Sequence, residues 1–230
     1  MTLDGQSNTG SVFDFGQVAQ EYDRWYATAK GQAHDKVQKA DVQHLLGFSP
    51  RKARLLDIGC GTAHWSRFFA SLGYTVVGVD AAPEMIQVAQ NRNSPGVTVH
   101  LAEASALPFS DDSFDVAAAM AVLEFLSNPE AVIQEMVRCT KPQGRILIGS
   151  LNRLAPVNRQ RLAERKEPYA SGHLFSPDEL AALLQPFGSV RMRASEIGNG
   201  NEENPLNAAG KETPPQEQLT GSLIIAEVRL

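Results

Sequence analysis

Hydrophobic positions in this chain follow two different rhythms. Between residues 13 and 46, aromatic and aliphatic residues recur among charges: Phe15, Val18, Tyr22, Trp25 and Tyr26, then Val37, Val42, Leu45 and Leu46. That spacing predicts two helices, broken near Gly31. Residues 47–51, which include Gly47 and Pro50, read as a turn. Beyond the turn, short apolar runs alternate with amphipathic ones. Residues 54–58, 75–79, 97–101, 114–120 and 145–150 read as strands, the second ending at Asp80. Residues 64–72, 83–91 and 129–140 read as helices. The last two begin with Pro, whose missing N–H is harmless there, and Asn128 is placed to cap the third. Lys141-Pro142-Gln143-Gly144 reads as a turn.

Strands alternating with helices imply a parallel sheet covered on both faces, and right-handed crossovers fix most of its topology. After Leu151 the order changes. Residues 152–175 are polar and irregular, and Ser176-Pro177-Asp178-Glu179 is a start signal for a helix over 176–184. Residues 190–195 and 223–230 alternate like an antiparallel edge pair. The Asn-, Glu-, Gly- and Pro-rich stretch 198–220 reads as a mobile surface loop, and residues 1–12 as disordered.

Composition narrows the function classes. With 230 residues, 43% hydrophobic and 20% charged, the chain is sized for one globular α/β domain. A net charge of −5 gives no global basic field, so nucleic acid is not an expected partner. No apolar run approaches the roughly 20 residues of a membrane span, and the polar N-terminus lacks a secretory pattern. The two cysteines, Cys60 and Cys139, read as reduced thiols, which places the protein in the cytoplasm by default. No His, Cys or acidic cluster has metal-ligand spacing, and no catalytic triad pattern is present.

The chemistry concentrates after the first strand, in Asp57-Ile58-Gly59-Cys60-Gly61-Thr62-Ala63. Gly59 and Gly61 permit a tight turn and close ligand approach, at the sheet edge where doubly wound folds bind ligands. A dinucleotide fingerprint would need Gly or Ala where His64 stands, and the phosphate-loop pattern is absent. Asp57 would repel a pyrophosphate but suits a ligand bearing an ammonium group, reached directly or through water. Asp80, at the end of the second strand, is placed to accept both hydroxyls of a ribose. Together these features ask for a nucleoside bearing a cation.

The stretch resembles the first motif of class I S-adenosylmethionine-dependent methyltransferases. The resemblance continues through Val79-Asp80-Ala81-Ala82-Pro83-Glu84-Met85, Ala102-Glu103-Ala104-Ser105-Ala106-Leu107-Pro108-Phe109, Asp112-Ser113-Phe114-Asp115 and Val122-Leu123-Glu124-Phe125, covering residues 54–151. It is nearest to the small-molecule subgroup that includes ubiquinone-biosynthesis-type enzymes. The resemblance implies a Rossmann-like, doubly wound, mostly parallel seven-stranded sheet with an antiparallel edge hairpin and an N-terminal helical cap. It implies one domain: a cap over 1–50, a cofactor core over 51–151, a substrate lid over 152–175, and a C-terminal helix with edge strands over 176–230. It also implies S-adenosylmethionine as cofactor, S-adenosylhomocysteine as product and a small-molecule acceptor. Asp57 and the Gly59-Cys60-Gly61 backbone would hold the methionine end, and Asp80 the ribose, with Ala81 and Met85 against ribose and adenine. Glu103 would take the adenine amino group, the Ala104 backbone a ring nitrogen, and Met120 the methionine side. Tyr22 and Trp25, in Tyr22-Asp23-Arg24-Trp25-Tyr26, would fold over the cofactor. Ala63 stands where the family often has Gly, Glu103 where Asp is commoner, Gln143 where Gly is usual, and Phe125 where His is frequent.

No residue is nominated as a catalytic base. Tyr22, Trp25 and Tyr26 fit either packing or ligand contact, and Met85 fits core as well as cofactor. His64 and His173 read as structural polar groups, with acid–base catalysis as the alternative, and Glu124 as an intrahelical cap or pair, with a substrate role as its alternative. The run Arg153, Arg159, Arg161, Arg165 and Lys166, interleaved with Glu164 and Glu167, reads as a solvated helix face; a lid that attracts an anionic substrate is its alternative. For the whole chain, an NAD-dependent oxidoreductase and a non-catalytic cofactor-binding module are the competing readings.

Overall fold

The predicted parallel strands form, and the apolar residues that dominate the inner ones explain why. The computed structural model describes residues 10–49, 53–196 and 219–230. In it β1 (Arg54–Ile58), β2 (Thr75–Asp80), β3 (Val97–Leu101), β4 (Phe114–Met120) and β5 (Thr140–Leu151) pair parallel. β7 (Leu223–Arg229) runs antiparallel to β5, and β6 (Ser189–Ser195) antiparallel to β7. The sheet order is β3-β2-β1-β4-β5-β7-β6. The edge hairpin is therefore as expected, with its second strand lying inside its first.

Successive side chains of a strand point to opposite faces, so a strand covered on both sides has no polar face. Leu56, Ile58, Val77, Ala117, Ile146 and Ile148 pack on one side, with α5 (Pro129–Cys139) and α7 (Pro177–Leu184). Their immediate neighbours Leu55, Val76, Val116, Ala118 and Leu147 pack on the other, with α2 (Ala29–Leu46) and α3 (His64–Ser71). α4 (Pro83–Asn91) follows β2 and packs on β3. Two helix starts behave as predicted. Asn128 accepts a hydrogen bond from the Ala131 N–H at 3.1 Å. Ser176 and Glu179 form a reciprocal capping box.

Four expectations need correction. The helical break near Gly31 lies instead at Thr28, between α1 (Arg24–Ala27) and α2. Thr28 caps the Gly31 N–H at 3.0 Å. Gly31 is inside the helix because a Cβ there would sit 1.9 Å from the Trp25 carbonyl oxygen; it permits close approach rather than a bend. Lys141–Gly144 is no separate turn but a bulged stretch of β5. Phe114 pairs with Thr140 and Val116 with Arg145, and Gln143 takes φ +64°. The region 152–175 contains α6 (Pro156–Ala163), started by its own Pro. Residues 10–12, expected to be disordered, are held against the 3-10 turn Leu123–Phe125 and its exit: Ser11 bridges Leu126, and the Val12 N–H donates to the Phe125 carbonyl at 2.8 Å. Residues 1–9, and 198–218 of the predicted loop, lie outside the described residues.

The order β3-β2-β1-β4 places the functional crevice. The chain leaves β1 toward β2 and β3, then returns to β4 on the other flank of β1. The carboxyl ends of β1 and β4 therefore diverge into opposite connections, which opens a cleft between them.

Candidate functional site

The loop from β1 to α3 must turn sharply at this switch point. Gly59, Gly61 and Ala63 all adopt left-handed backbone, with φ of +63°, +52° and +62°. A Cβ at Gly59 would lie 2.5 Å from Val122 Cγ2, so the segments after β1 and β4 can touch only where Cβ is missing. At Gly61 a Cβ would meet only Met85 Sδ, at 3.8 Å. The main chain there faces open space.

That space is a cavity of about 790 Å³. Of the expected ligand residues, Gly59, Gly61, Asp80, Ala81, Met85, Ala104, Met120 and Tyr22 line it. Asp80 Oδ2 accepts the Gly61 N–H at 2.8 Å, and Oδ1 accepts the Ala82 N–H at 2.9 Å. These bonds fix the carboxylate and leave lone pairs on both oxygens for a ligand. Burial pushes the Asp80 carboxyl above its usual range, and the three backbone amides around it hold it down in part.

Asp57, Cys60, Glu103 and Trp25 are outside the lining. Asp57 is buried behind the loop and accepts the Ser66 hydroxyl at 2.5 Å, tying β1 to α3. Burial raises its carboxyl to about 7, the Ser66 bond opposing and Asp80 adding. The Cys60 N–H donates to the Val79 carbonyl at 2.9 Å, while its Sγ packs against Gly78, where a Cβ would meet it at 2.9 Å. Burial pushes that thiol well up, so it stays protonated. Glu103 lies between the lining residues Ala102 and Ala104, its carboxyl raised by partial burial and by Asp80. Trp25 lines a second, smaller cavity.

Residues of the expected N-terminal cap cover the large cavity, but as an irregular strap ahead of the helices. Val12, Phe13, Asp14 and Phe15 all face it. The Phe13 and Phe15 rings meet edge-on at 4.8 Å, and Phe15 meets Phe125 at 5.1 Å. Asp14 starts the following 3-10 turn by accepting the Gly16 N–H at 3.0 Å. The one local signal was the Phe-Asp-Phe cluster, which has no helical or strand period. The cap is latched to the glycine loop nearby. Thr62 Oγ1 donates to Asp23 at 2.7 Å, Asp23 pairs with Arg92, and His64 bonds Asp35 at 2.7 Å. His64 acts structurally, stacking on Tyr26 at 3.8 Å; the His173 main-chain N–H donates to the Glu124 carbonyl, and its ring meets Phe175 edge-on at 5.0 Å. Tyr22, half-buried over the cavity, has its hydroxyl pushed up by desolvation, then by Tyr169 and Asp80.

The charge of the lining decides the ligand class. Asp14, Asp80 and Glu84 face the cavity, and no Lys, Arg or His does among the described residues. A pyrophosphate would meet carboxylates without a counter-charge, whereas a cation would relieve them. Fold and site thus define an α/β protein that binds a cationic nucleoside at a switch point.

Comparison with known proteins gives the family. Residues 56–148 match the family model described as "Methyltransferase domain". An uncharacterized protein of Methanocaldococcus jannaschii is 30% identical over 188 residues, covering 81% of this chain and 84% of that protein. A demethylmenaquinone methyltransferase of Tropheryma whipplei is 30% identical over 196 residues, covering 76% and 81%. Among solved structures, a possible histamine N-methyltransferase of Thermotoga maritima superposes with a TM-score of 0.69 at 24% identity, covering 94% of this chain and 97% of that one. The chain belongs to the class I S-adenosylmethionine-dependent methyltransferases. The cavity fits that donor: a bare loop backbone, a fixed carboxylate at the end of β2 and an acidic lining are what a sulfonium nucleoside requires.

Proposed function

We propose that the large cavity holds S-adenosylmethionine and that the protein transfers its methyl group to a small-molecule acceptor. The acidic, base-free lining at the switch point carries this reading. Asp80 binds the ribose hydroxyls, with Ala81 and Met85 beside ribose and adenine. The main chain of Gly59-Cys60-Gly61 serves the methionine end, next to Met120, with Asp57 behind the loop holding its shape through Ser66. Glu103 reaches the adenine amino group and the Ala104 N–H a ring nitrogen. Tyr22 closes the site over the sulfur. When bound, the cofactor supplies an already activated methyl on a sulfonium. The chain's own task is to orient the acceptor and exclude water. The strap at Val12–Phe15 and the latch through Asp23 do the excluding. The Tropheryma relative makes quinone-type rings one acceptor class to screen.

Calorimetry with S-adenosylhomocysteine tests the assignment. Asp80→Ala is expected to weaken binding by about 1–3 kcal/mol, through lost charge-assisted hydrogen bonds. In thermal shift, S-adenosylhomocysteine at about 100 times Kd adds about 2.7 kcal/mol of stability, and NAD adds none. Stabilisation by NAD but not by S-adenosylhomocysteine would overturn the proposal.

A further inference from the structure

A second cavity, of about 120 Å³, opens beside the first. The two share Tyr22, Met120 and Ala121, so they meet at the end of β4. Their chemistry is opposite. The first presents carboxylates and no base; the second presents Arg161 and His34 and, among the described residues, no carboxylate. Its walls are aromatic: Trp25, Tyr26 and Trp65. Trp25 meets Tyr26 edge-on at 5.1 Å and His34 at 5.6 Å. Tyr26 is held by its stack on His64, itself anchored to Asp35. The walls are therefore set in place before any ligand arrives.

Arg161 is the polar centre of this cavity. Its guanidinium lies over the Tyr169 ring at 4.4 Å, and Nη1 donates to Asn158 Oδ1 at 2.9 Å. Asn158 is buried and donates in turn to the carbonyls of Asn152 and Ser222, both at 2.9 Å. Arg161 forms no ion pair among the described residues, although Arg92, Arg138, Arg145, Arg153, Arg191 and Arg193 all do. An oriented guanidinium with donors to spare, facing a cavity, is a site for a planar anion. His34 adds no second charge. Burial, then Lys30 and Arg161, pushes its imidazole toward the neutral form, and Nδ1 rests 3.4 Å from Ser222 Oγ.

Size and charge then select the ligand. A cavity of about 150 Å³ takes one benzene ring; at about 120 Å³ and open toward the first cavity, this space admits no more than a single ring. Aromatic walls alone would also suit an amine, but Arg161 and the nearby Lys30 repel one.

We propose that this second cavity is the acceptor subsite, built for a single planar ring carrying a carboxylate that pairs with Arg161. The proposal rests on the methyltransferase reading of the first cavity. It makes α6 the part of the basic run that meets substrate.

Both tryptophans of the chain, Trp25 and Trp65, line the cavity, so their fluorescence reports its filling directly. The probes are 3,4-dihydroxybenzoate, its neutral amide and 3,4-dihydroxybenzylamine, each titrated into the protein saturated with S-adenosylhomocysteine. The acid is expected to quench with a Kd at least tenfold lower than the amide, and the amine to bind weakest. Arg161→Gln should remove the preference for the acid, leaving the amide and S-adenosylhomocysteine affinities unchanged; the latter also shows that the variant is folded. Equal binding of acid and amide, binding of none of the three, or an equal effect of Arg161→Gln on all of them would overturn the subsite while the cofactor site stood. Failure of S-adenosylhomocysteine to bind the unmodified protein would instead remove the reading beneath it.

Discussion

Replacing Glu124 by Gln should make the ligand-free protein more stable at neutral and alkaline pH and change little in acid. Glu124 follows β4 in a 3-10 turn and is 1% exposed. Oε1 accepts the Leu151 N–H at 2.9 Å, and Oε2 lies 3.4 Å from Ser150 Oγ. Those bonds do not offset burial, which raises the carboxyl from 4.5 to about 7. A folded-state pKa above the unfolded one means that the folded protein holds its proton longer. The stabilisation is complete below the unfolded value, near pH 4.5, and is lost as pH rises through about 7. At about 1.4 kcal/mol per pH unit, the loss is about 3 kcal/mol. Gln keeps an acceptor for the Leu151 N–H and a donor for Ser150, and has no charge to bury. For a chain of this size, about 3 kcal/mol corresponds to a Tm gain of about 6–12 °C above pH 8. Urea unfolding of both proteins at half-unit intervals from pH 4.5 to 8.5 measures the effect. Asp57, also raised to about 7 by burial, gives the unmodified protein a second fall of the same shape. The variant should therefore keep the part of the fall that Asp57 and the likewise raised Asp80 cause. Parallel stability curves for the two proteins would refute the reasoning.

Three more changes test other parts of the structure. Gly59→Val, which drives a Cβ toward Val122 Cγ2 from a backbone at φ +63°, should abolish S-adenosylhomocysteine binding in calorimetry while far-UV dichroism stays unchanged; retained binding would show that the loop approaches no ligand. Ala63→Gly relieves a left-handed alanine, which costs about 1–2 kcal/mol, against about 0.5–1 kcal/mol of added unfolded-state entropy. A gain of about 0.5–1 kcal/mol in urea unfolding is expected, and a loss would contradict it. Glu227, fully buried between β5 and β6, accepts Arg145 Nη1 at 3.1 Å and Arg191 Nε at 2.9 Å. Glu227→Ala takes the carboxylate from three partly exposed guanidinium groups, those of Arg145, Arg191 and Arg229, and should cost about 1.5–3 kcal/mol; a cost below about 1 kcal/mol would mean that water replaces the carboxylate.

What the sequence made legible was what is local in it. The sheet could be read because its parallel strands are short and mostly apolar, the first closed by Gly59 and the second by Asp80. The nucleoside loop could be read because Asp57, Gly59 and Gly61 are neighbours and Asp80 ends the adjacent strand. Gly31 misled because a glycine in a helix signals flexibility, whereas here it admits the Trp25 carbonyl. Lys141–Gly144 misled because Pro and Gly signal a turn, while pairing on both sides of it keeps the strand continuous. The strap over the large cavity has no period to betray it. The second cavity draws Tyr22, His34, Trp65, Arg161 and Ser222 from five separate segments, so no window of sequence contains it.

The separation of charge between the two cavities follows from topology rather than from overall composition. The net charge of −5 is spread along the chain and forecasts no such division. The acidic cavity draws on the ends of β1 and β2, where Asp80 is fixed by the amides of the turn it faces. The basic one draws on α6, which follows β5 across the switch point. Because β4 lies between β1 and β5, its end at Met120 and Ala121 is the one strand end where both meet. At an effective dielectric near 20, unit charges about 4 Å apart interact by about 4 kcal/mol. Carboxylates on one side of that boundary and an oriented guanidinium on the other therefore favour ligands of opposite sign at adjacent positions. A ligand placed in the wrong cavity would meet like charge, so the same side chains that attract also sort.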